Sequence, residues 1–481
     1  MKLGPVSNAK LASACCLGLN QLVGTNQTFF AGSLAYNSSL ASYFSQQEAQ
    51  LYPNCIVAPT TVDDVSTAVH YLTSNSRCDF AIRSGGHIVF AGAANINDGV
   101  TIDLRGLDTI EVNDDHSTVT VGAGATWGDV YKALEPMNLM VAGGRVGQVG
   151  VGGLTTGGGI SYFSPRFGWT CDTVVDFEVV LANGSVVHAN AQNNPELQIA
   201  LRGGSNNFGV VTRVQLKAFE QGPIWGGLTF HSFDNVDQQL QATADFSNAD
   251  TYDDYASLIL SFGFSGTQGP ALLTALEYTK PEAYPSVFQS FTSIPSVLST
   301  LRVANMSDIA TEQGSFQPNG DRQLWLTTTF YPSVPMLNAT YRCWNNSLAA
   351  IKDVNGITWS LSLEPIPPSI YARRSDSNSL GLSDTSGCLV VVLLSASWSD
   401  EADEAEVTKV GRGLFEAIED IAQQQNASHP FRYLNYAAQW QNPIASYGDD
   451  SVEQLWRTSR AVDPEGVFQQ QVPGGFKLPI I

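Results

Sequence analysis

The chain has 481 residues, of which 43% are hydrophobic and 14% charged, the balance of a globular protein with a large core. Its formal net charge of −21 repels phosphate backbones and anionic lipid, so nucleic acid and membrane surfaces are not expected partners. No apolar run reaches the roughly 18 residues of a transmembrane helix. The 43 glycines point to a backbone that comes close to another group.

The seven cysteines are too scattered for a disulfide scaffold, and without a Cys-x-x-Cys motif or a spaced histidine pair no metal site is expected. One bridge from Cys55 to Cys15 or Cys16 is predicted, with buried free thiols as the alternative. The N-terminal residues lack the apolar core of a signal peptide, so the protein stays inside the cell or an expression methionine replaces its signal. The acidic composition and the sequons favour secretion of a glycoprotein. The sequons lie at Asn26, Asn37, Asn183, Asn305, Asn338, Asn345 and Asn426.

The first half of the chain predicts alternating helices and strands. Residues 1–50 are rich in Ala, Ser, Leu and Gln and predict short helices without a strand. A strand follows Cys55, and residues 60–75 predict a helix because valines and a leucine recur there at helical spacing. An Asn-Gly pair predicts a β-hairpin within residues 173–190.

The composition changes after Pro223, where long alternating segments predict about six strands. These favour one antiparallel sheet with helices on one face. Residues 401–425 predict a helix with its acidic residues at the favoured N-terminal end. The predicted parts are an N-terminal helical segment (1–50), a first domain (51–221), a second domain (222–429) and a C-terminal segment (430–481) that returns to the first domain.

Three glycine clusters carry the main functional signal. The first is Arg83-Ser84-Gly85-Gly86-His87, where successive backbone N–H groups can cradle phosphate oxygens. The second runs from Gly143 to Gly159, with glycine at nine of 17 positions, a density that suits a backbone lying against a planar ligand with a diphosphate. The third cluster, at residues 202–209, directly precedes a predicted strand. Tight turns alone are the alternative. A Rossmann motif is not supported because no clean strand precedes the GxGxxG-like spacing, and a P-loop is excluded because no GK[ST] occurs.

Several motifs in a fixed order carry a family resemblance: PTTVDDVSTAV, RSGGH, IDLRGL, VGAGATWGDVY, VGVGGLTTGGGIS, CDTVVDFEVVLANG, ALRGGSNNFGVVT and the terminal YLNY and DPEGVFQ. The chain resembles the berberine-bridge-enzyme-like branch of the vanillyl-alcohol-oxidase/para-cresol-methylhydroxylase flavoproteins, and its ending is similar to fungal members. The resemblance covers about residues 50–220 and about 430 to the end. It implies an α+β fold with a two-part FAD-binding domain of the PCMH type and a substrate domain with a large antiparallel sheet covered by helices.

The resemblance also implies how FAD is held. His87 matches the histidine that bonds covalently to the flavin 8α-methyl group. Val146 stands where relatives with a second bond have cysteine, which implies a single link and weakens the interpretation as an oligosaccharide oxidase. Val149 matches the oxygen gate, where a small side chain is typical of oxidases. The residues assigned to FAD are Arg83, Ser84, Gly85, Gly86, His87, Gly144, Val146, Gly150, Gly153, Gly157, Gly158, Gly159, Ser161, Gly209, Val211, Asn435 and Tyr436.

For the chemistry, the resemblance points to Tyr433 as the base, with Asn435 and Tyr436 beside the flavin ring. A tyrosine with the ordinary pKa of ~10 needs a nearby cation to act as a base, and aromatic core packing is the alternative. Gln439 follows this segment and is expected to face the substrate. Phe167 stands where relatives carry a further active-site aromatic or basic residue, and it cannot take a proton.

The central sheet offers further candidates, although the sequence does not show which face they use. These are Trp325 and Thr327 on one strand, and Trp359, or Ser360 with Ser362, on another. The basic pair Arg373-Arg374 could bind a carboxylate or enolate, with a solvated loop as the alternative.

The sequence therefore predicts an FAD-linked oxidase. A small aromatic or polyketide-type metabolite of fungal secondary metabolism gives a hydride from an alcohol, an amine or an activated C–H to flavin N5, and O2 becomes H2O2. The alternatives are a carbohydrate oxidase, a flavoprotein cyclase whose flavin is partly structural, and a binding protein without turnover. The expected partners are a small-molecule substrate and molecular oxygen, and the expected state is a monomer or weak dimer.

Overall fold

The computed structural model describes residues 14–74, 78–372 and 377–480. The helices of this part are α1 (Ala14–Leu22), α2 (Leu34–Ala41), α3 (Gln46–Ala49), α4 (Val62–Ser74), α5 (Trp127–Leu134), α6 (Val151–Thr156), α7 (Ser164–Phe167), α8 (Pro195–Leu201), α9 (Val236–Phe246), α10 (Gln289–Thr292), α11 (Met306–Gly314), α12 (Val334–Ile351), α13 (Pro368–Ala372), α14 (Glu404–Gln424), α15 (Asp449–Val462) and α16 (Val467–Gln470). The predicted helices at 60–75 and 401–425 are α4 and α14.

Two small sheets form the first half of the molecule. The first has the order β1-β2-β4-β3, with β1 (Thr28–Phe30), β2 (Cys55–Val57), β3 (Phe80–Arg83) and β4 (Val100–Asp103). The second has the order β5-β6-β10-β8-β9, with β5 (Ile110–Val112), β6 (Thr118–Gly122), β8 (Val174–Val180), β9 (Val186–Asn190) and β10 (Val210–Lys217). Strands β8 and β9 form the predicted Asn-Gly hairpin. The short pair β7 (Leu139–Met140) and β11 (Phe219–Glu220) lies next to the change in composition.

A nine-stranded sheet forms the second half, with the order β15-β12-β14-β13-β18-β19-β17-β20 and β16 paired to β12. The strands are β12 (Ile224–His231), β13 (Ala256–Ser265), β14 (Gly269–Tyr278), β15 (Leu298–Ser299), β16 (Arg302–Ala304), β17 (Arg322–Phe330), β18 (Thr358–Ile366), β19 (Leu389–Trp398) and β20 (Ser428–His429). The six long strands are the predicted ones, and they pair with one another antiparallel throughout. The three short strands were not predicted because two or three residues carry no alternating pattern.

Helices α9, α12 and α14 cover one face of the large sheet. Leu240, Trp344 and Leu414 from these helices share a fully or nearly fully buried cluster with sheet residues such as Phe262 and Leu361. Burial of apolar area of this kind contributes about 25 cal/mol per Å². The opposite face of the sheet is turned toward the glycine-rich half of the chain. None of the described helices has the length and apolarity needed to cross a membrane.

The N-terminal segment departs from the prediction in two ways. Residues 28–30 form a strand that pairs antiparallel with β2, so the segment is not purely helical. Two disulfides fasten α1 to this sheet. The predicted bridge is Cys16–Cys55, and a second bridge, Cys15–Cys78, was missed because Cys78 lies 63 residues away in the sequence. The remaining cysteines, Cys171, Cys343 and Cys388, are free.

Candidate active site

A cavity of about 480 Å³ lies between the glycine-rich segments and the uncovered face of the large sheet. This volume is within the range of small-molecule sites. One side is backbone from the first and second glycine clusters, and the other side consists of side chains from β12, β13, β14, β17, β18 and β19. The third glycine cluster and residues near the C-terminus close a further end.

The first two glycine clusters meet backbone to backbone. A Cβ atom on Gly85 would lie 2.6 Å from the backbone nitrogen of Gly150, so only glycine permits this approach. The Ser84 hydroxyl joins the clusters further, because it donates to the Ala123 carbonyl at 2.6 Å and accepts from the Gly152 N–H at 3.2 Å. The result is a thin, flat wall on which a planar ligand can lie.

His87 ends the first cluster and faces the cavity. Its ring stacks on Phe44 with centroids 3.9 Å apart, and Trp325 lies 5.9 Å away. Burial lowers the pKa of His87 to about 4, so the imidazole is neutral at physiological pH. Its Nε2 atom is buried and has no hydrogen-bond partner among the described residues. A neutral imidazole with an unsatisfied nitrogen can serve as a nucleophile or ligand group.

Arg83 does not face the cavity, contrary to the prediction. Its guanidinium donates to the carbonyl oxygens of Ser39 and Ser42, at 2.7 and 3.0 Å, and lies over the Tyr43 ring. Asp103 lies 3.8 Å away. This residue therefore holds the N-terminal helices against β3 and supports the glycine loop from behind.

The other residues assigned to FAD fall into two layers. The cavity wall contains Ser84, Gly85, Gly86, His87, Val146, Gly150, Gly153, Gly209, Val211, Asn435 and Tyr436, and Val149, the predicted oxygen gate, lies on the same wall. Behind that wall lie Gly144, Gly157, Gly158, Gly159 and Ser161. The second layer supports the first: the Gly144 carbonyl accepts from the buried Tyr131 hydroxyl at 2.6 Å, and a Cβ on Gly157 would collide with the Asn435 amide.

Arg145, Tyr436 and Glu364 form a buried polar group at the cavity. Arg145 Nη2 donates to Glu364 Oε2 at 2.8 Å and also to the Tyr436 hydroxyl oxygen. The Tyr436 hydroxyl in turn donates to Glu364 Oε1 at 3.1 Å. Burial alone would lower the pKa of Arg145. The nearby Glu364 carboxylate has the larger, opposite effect, so the pKa of Arg145 lies above its ordinary value. Burial raises the pKa of Tyr436 well above 10.

Tyr433 lies beside this group and lines the cavity. Its hydroxyl oxygen accepts from the Ile160 N–H and from Asn435 Nδ2, both at 3.0 Å. Burial raises the pKa of Tyr433 to about 12, although Asn435 and Arg145 favour its anion. The cation that the sequence analysis required is thus present, but burial outweighs its effect.

A second carboxyl group, Glu277 on β14, lies behind the first. It is 1% exposed and lies beside the buried Tyr162. Burial raises the pKa of Glu277 to about 8, even though the Arg145 charge and the Tyr162 hydroxyl act in the opposite direction. With this pKa, Glu277 holds a proton at neutral pH. Glu364 is instead paired directly with Arg145.

Several predicted residues lie elsewhere. Gln439 is exposed and outside the cavity, because the neighbouring Gln441 turns inward to bind the backbone of Thr327 on β17. Phe167 stacks on Phe219 at 4.2 Å, away from the cavity. On β18 the cavity side carries Ser360 and Ser362, while Trp359 binds Ser347 of α12. On β17 the cavity side carries Trp325 but not Thr327. The pair Arg373-Arg374 lies outside the described residues.

Two residues that line the cavity and one buried carboxyl near them were not predicted from the sequence. Arg145 is the single cation within the glycine-rich segment, and Glu364 continues the alternation of Ser360 and Ser362 on one strand. Both features can be read from the sequence. Neither indicates that Arg145 and Glu364, which are 219 residues apart, form a hydrogen bond in the folded protein. Glu277 stands in an apolar strand segment, where a buried carboxyl is rare. Among the described residues, no three His, Cys, Asp or Glu side chains group as a metal site.

The far end of the cavity is closed by residues 475 and 476. The Phe476 ring packs against Phe90 at 5.4 Å. Lys477 Nζ donates to Asn206 Oδ1 at 3.3 Å and to the Phe468 carbonyl at 3.0 Å, and burial lowers the pKa of Lys477 to about 7. These contacts fix Asn206, which also lines the cavity.

Comparison with known proteins identifies the class. A family model described as an FAD-binding domain matches residues 53–190. The FAD-dependent monooxygenase CTB5 of Cercospora beticola is 36% identical over 98% of this chain and 92% of that protein. Oligopeptidase PhomG' of Diaporthe leptostromiformis is 40% identical over 95% of this chain, which spans only 37% of that protein.

Solved structures agree on the fold. Glucooligosaccharide oxidase of Acremonium strictum has a TM-score of 0.79 at 19% identity, over 96% of this chain and 99% of that chain. A variant of berberine bridge enzyme has a TM-score of 0.77 at 18% identity, over 96% and 99%. The chain belongs to the family of FAD-dependent oxidoreductases that these fungal relatives represent, its fold is that of berberine bridge enzyme and glucooligosaccharide oxidase, and the predicted α+β fold is confirmed.

The residues of the cavity fit FAD, the cofactor of this family. The wall of glycine backbone accepts a planar group at close range, and the unsatisfied Nε2 atom of His87 belongs to a side chain on that wall. The cavity continues past Gly209 to Asn206 and Phe476, which gives length for a dinucleotide. Ser84, Gly85 and Gly150 would hold the cofactor at the centre of this path.

Replacement of Glu277 by glutamine tests the protonated carboxyl. The folded-state pKa lies above the unfolded value, so the wild-type protein loses stability as pH rises from the ordinary carboxyl range to about 8, by about 1.4 kcal/mol per pH unit. We expect Glu277→Gln to remove most of this loss in thermal unfolding measured across that range. Exposed Glu220→Gln is the control, and equal pH slopes in Glu277→Gln and wild type would contradict the assignment.

Proposed function

We propose that this protein is an FAD-linked oxidase. It takes a hydride and a proton from an alcohol, an amine or an activated C–H of a small secondary metabolite, and passes the electrons to O2 to give H2O2. The observation that carries this proposal is the Arg145, Tyr436 and Glu364 group, which faces the same cavity as His87. FAD, when bound, supplies the hydride acceptor, and the chain must supply the proton acceptor.

The hydrogen bonds of Tyr436 give a path for that proton. The hydroxyl oxygen of Tyr436 accepts from Arg145 and its proton points to Glu364 Oε1 at 3.1 Å. As the oxygen of Tyr436 takes the proton of a substrate O–H, its own proton moves to Glu364. No free phenolate forms, which matters because the pKa of Tyr436 lies well above 10. Arg145 holds both partners in place.

Tyr433 as the base stays a prediction that this geometry makes less favourable. Its hydroxyl has two donors, Ile160 and Asn435, but no carboxylate to receive its proton. We assign it a positioning role over the glycine wall. The backbone N–H of Ile160 fixes the hydroxyl, and the aromatic ring packs on Trp169 at 5.6 Å.

The route for oxygen is proposed at Val149. This side chain is half-buried on the cavity wall, and its small size leaves space beside the glycine backbone. Val146 lies on the same wall and has no thiol, so we propose one covalent link, between a ring nitrogen of His87 and the 8α carbon of FAD.

The names of several relatives favour a second candidate, a monooxygenase that inserts one oxygen atom of O2 into its substrate. A screen of alcohols, amines and phenols separates the two. An oxidase releases one H2O2 for each substrate oxidised, whereas a monooxygenase leaves labelled oxygen from ¹⁸O2 in the product. Substrate conversion to a cyclised product without O2 uptake would contradict both and support the cyclase.

With a substrate from that screen, Tyr436→Phe and Glu364→Gln should slow anaerobic bleaching of the flavin absorbance by about 10²–10⁴-fold, the usual worth of general base catalysis. Tyr433→Phe, the matched aromatic control, should slow it much less. A larger loss in Tyr433→Phe than in Tyr436→Phe would reverse the assignment. The visible flavin spectrum of each variant checks that it has folded with FAD.

The covalent link has a direct test. We expect the acid-precipitated wild-type protein to give a yellow pellet, and His87→Ala to give a colourless pellet with yellow supernatant, because the ring nitrogen that forms the bond is gone. His188→Ala, whose side chain is 57% exposed, is the control and should behave like wild type. A yellow pellet from His87→Ala would overturn the link at this residue.

We propose that the protein is a glycoprotein of the secretory pathway. The two disulfides require an oxidising compartment, and all sequon asparagines except the half-buried Asn338 are exposed. The protein from a secreting eukaryotic host, denatured without reductant, should show three titratable thiols of seven and gain gel mobility after endoglycosidase treatment. Seven thiols or unchanged mobility would contradict this proposal.

A further inference from the structure

Strand β18 presents two chemically different faces. Its cavity face carries polar residues at every second position, which are Thr358, Ser360, Ser362 and Glu364. The residues between them, Trp359, Leu361 and Leu363, are fully buried in the core under the helices. Because successive side chains alternate across a strand, the hydroxyls form a row with a spacing of about 7 Å. The row ends at the carboxylate that Tyr436 contacts.

Neighbouring strands widen this row. Ser261 on β13 lies opposite Ser362, and their Oγ atoms are 2.8 Å apart. Ser395 on β19 lies opposite Ser360 and accepts from Gln317 Nε2 at 3.4 Å. The Ser360 hydroxyl makes no hydrogen bond to another described residue and is half-buried. The row therefore keeps donors and acceptors that no group in the described part of the chain satisfies.

The strands on the far side of β13 offer no such groups. Strands β12 and β14 contribute Leu228, Phe230, Leu273 and Ala275 to the cavity, and these side chains form an apolar patch with Ile259 of β13. Strand β14 lies two strands from β18 in the sheet order, a distance of about 10 Å. The cavity face of the large sheet is thus polar along β18 and apolar along β12 and β14.

We propose that the β18 hydroxyl row is the specificity determinant of this site. Ser360 and Ser362 bind oxygen substituents along one edge of a mostly apolar substrate, and its hydrocarbon edge lies on the β12–β14 patch. The substrate class is an oxygenated fused-ring aromatic about 10 Å across. A sugar chain carries hydroxyls on every edge, so the apolar patch would leave some of them unpaired, which is costly. The role of Glu364 at the end of the row rests on the proposed function, whereas the binding preference does not.

Calorimetric titration of the flavin-loaded protein tests this preference without turnover. The probes are a dihydroxynaphthalene, naphthalene and cellobiose. The wild-type protein should bind the dihydroxynaphthalene more tightly than naphthalene and should not bind cellobiose. The double variant Ser360→Ala with Ser362→Ala removes two neutral hydrogen bonds of about 0.5–1.5 kcal/mol each, so it should raise the Kd of the dihydroxynaphthalene by about 5–150-fold and leave that of naphthalene unchanged.

Two further variants complete the design. Ser397→Ala is the matched control, because this serine lies on β19 two residues beyond Ser395 and outside the cavity. Leu273→Asn, in the apolar patch, should weaken both naphthalenes about equally. The flavin spectrum and melting temperature show that each variant is folded.

The proposal is overturned if the double serine variant binds the dihydroxynaphthalene as tightly as wild type does, if cellobiose binds more tightly than the naphthalenes, or if neither naphthalene binds. These outcomes are independent of the oxidase proposal. Selective binding without H2O2 release from any substrate would contradict the oxidase alone, and H2O2 release without selectivity would contradict the specificity determinant alone.

Discussion

The ion pair between Arg145 and Glu364 is the interaction on which the site depends. It joins the glycine-rich segment to the centre of the large sheet across 219 residues of sequence, and Tyr436 adds a third segment. Both charges are almost entirely removed from water. Removal of one partner from a buried pair costs about 3–5 kcal/mol because the other charge is left uncompensated. This ion pair therefore connects the two halves of the molecule and also forms the polar end of the cavity.

This arrangement divides the work between backbone and side chains. The glycine clusters supply a wall that is mostly backbone, and the side chains that act from it are His87 and Arg145. The large sheet supplies a row of polar side chains along β18, in an order that follows the strand. The protein can thus keep one way of holding the cofactor while the exposed face of the sheet sets what is bound next to it.

The sequence predicted the parts of the molecule whose signals are local. Helix α4, the β8–β9 hairpin and the six long strands follow from spacing and turn residues. The glycine clusters predicted a backbone wall, and the contact of Gly85 with Gly150 explains why glycine is required there. The family motifs predicted that His87 and Tyr436 lie at the cofactor site, and both residues line the cavity.

What the sequence did not predict depends on contacts between distant segments. Arg83 belongs to the RSGGH motif, yet its direction is decided by Ser39 and Ser42, which lie some forty residues earlier. Gln439 and Gln441 are two positions apart and equally polar, and only the bond of Gln441 to β17 decides which one turns inward. The alternation on β18 does not show which face of the strand lines the cavity. The structure decides this, because the helices cover Trp359 and Leu361.

That alternation also makes β18 intolerant of a change in register. A shift of one residue against β13 and β19 would carry Trp359, Leu361 and Leu363 into the cavity and place Ser360 and Glu364 under the helices. Such a shift would remove the apolar residues from the core of the large sheet and the polar residues from the cavity at the same time. An insertion or deletion inside this strand that no bulge absorbs therefore disrupts the core and the site together, whereas substitution on the cavity face changes the site alone.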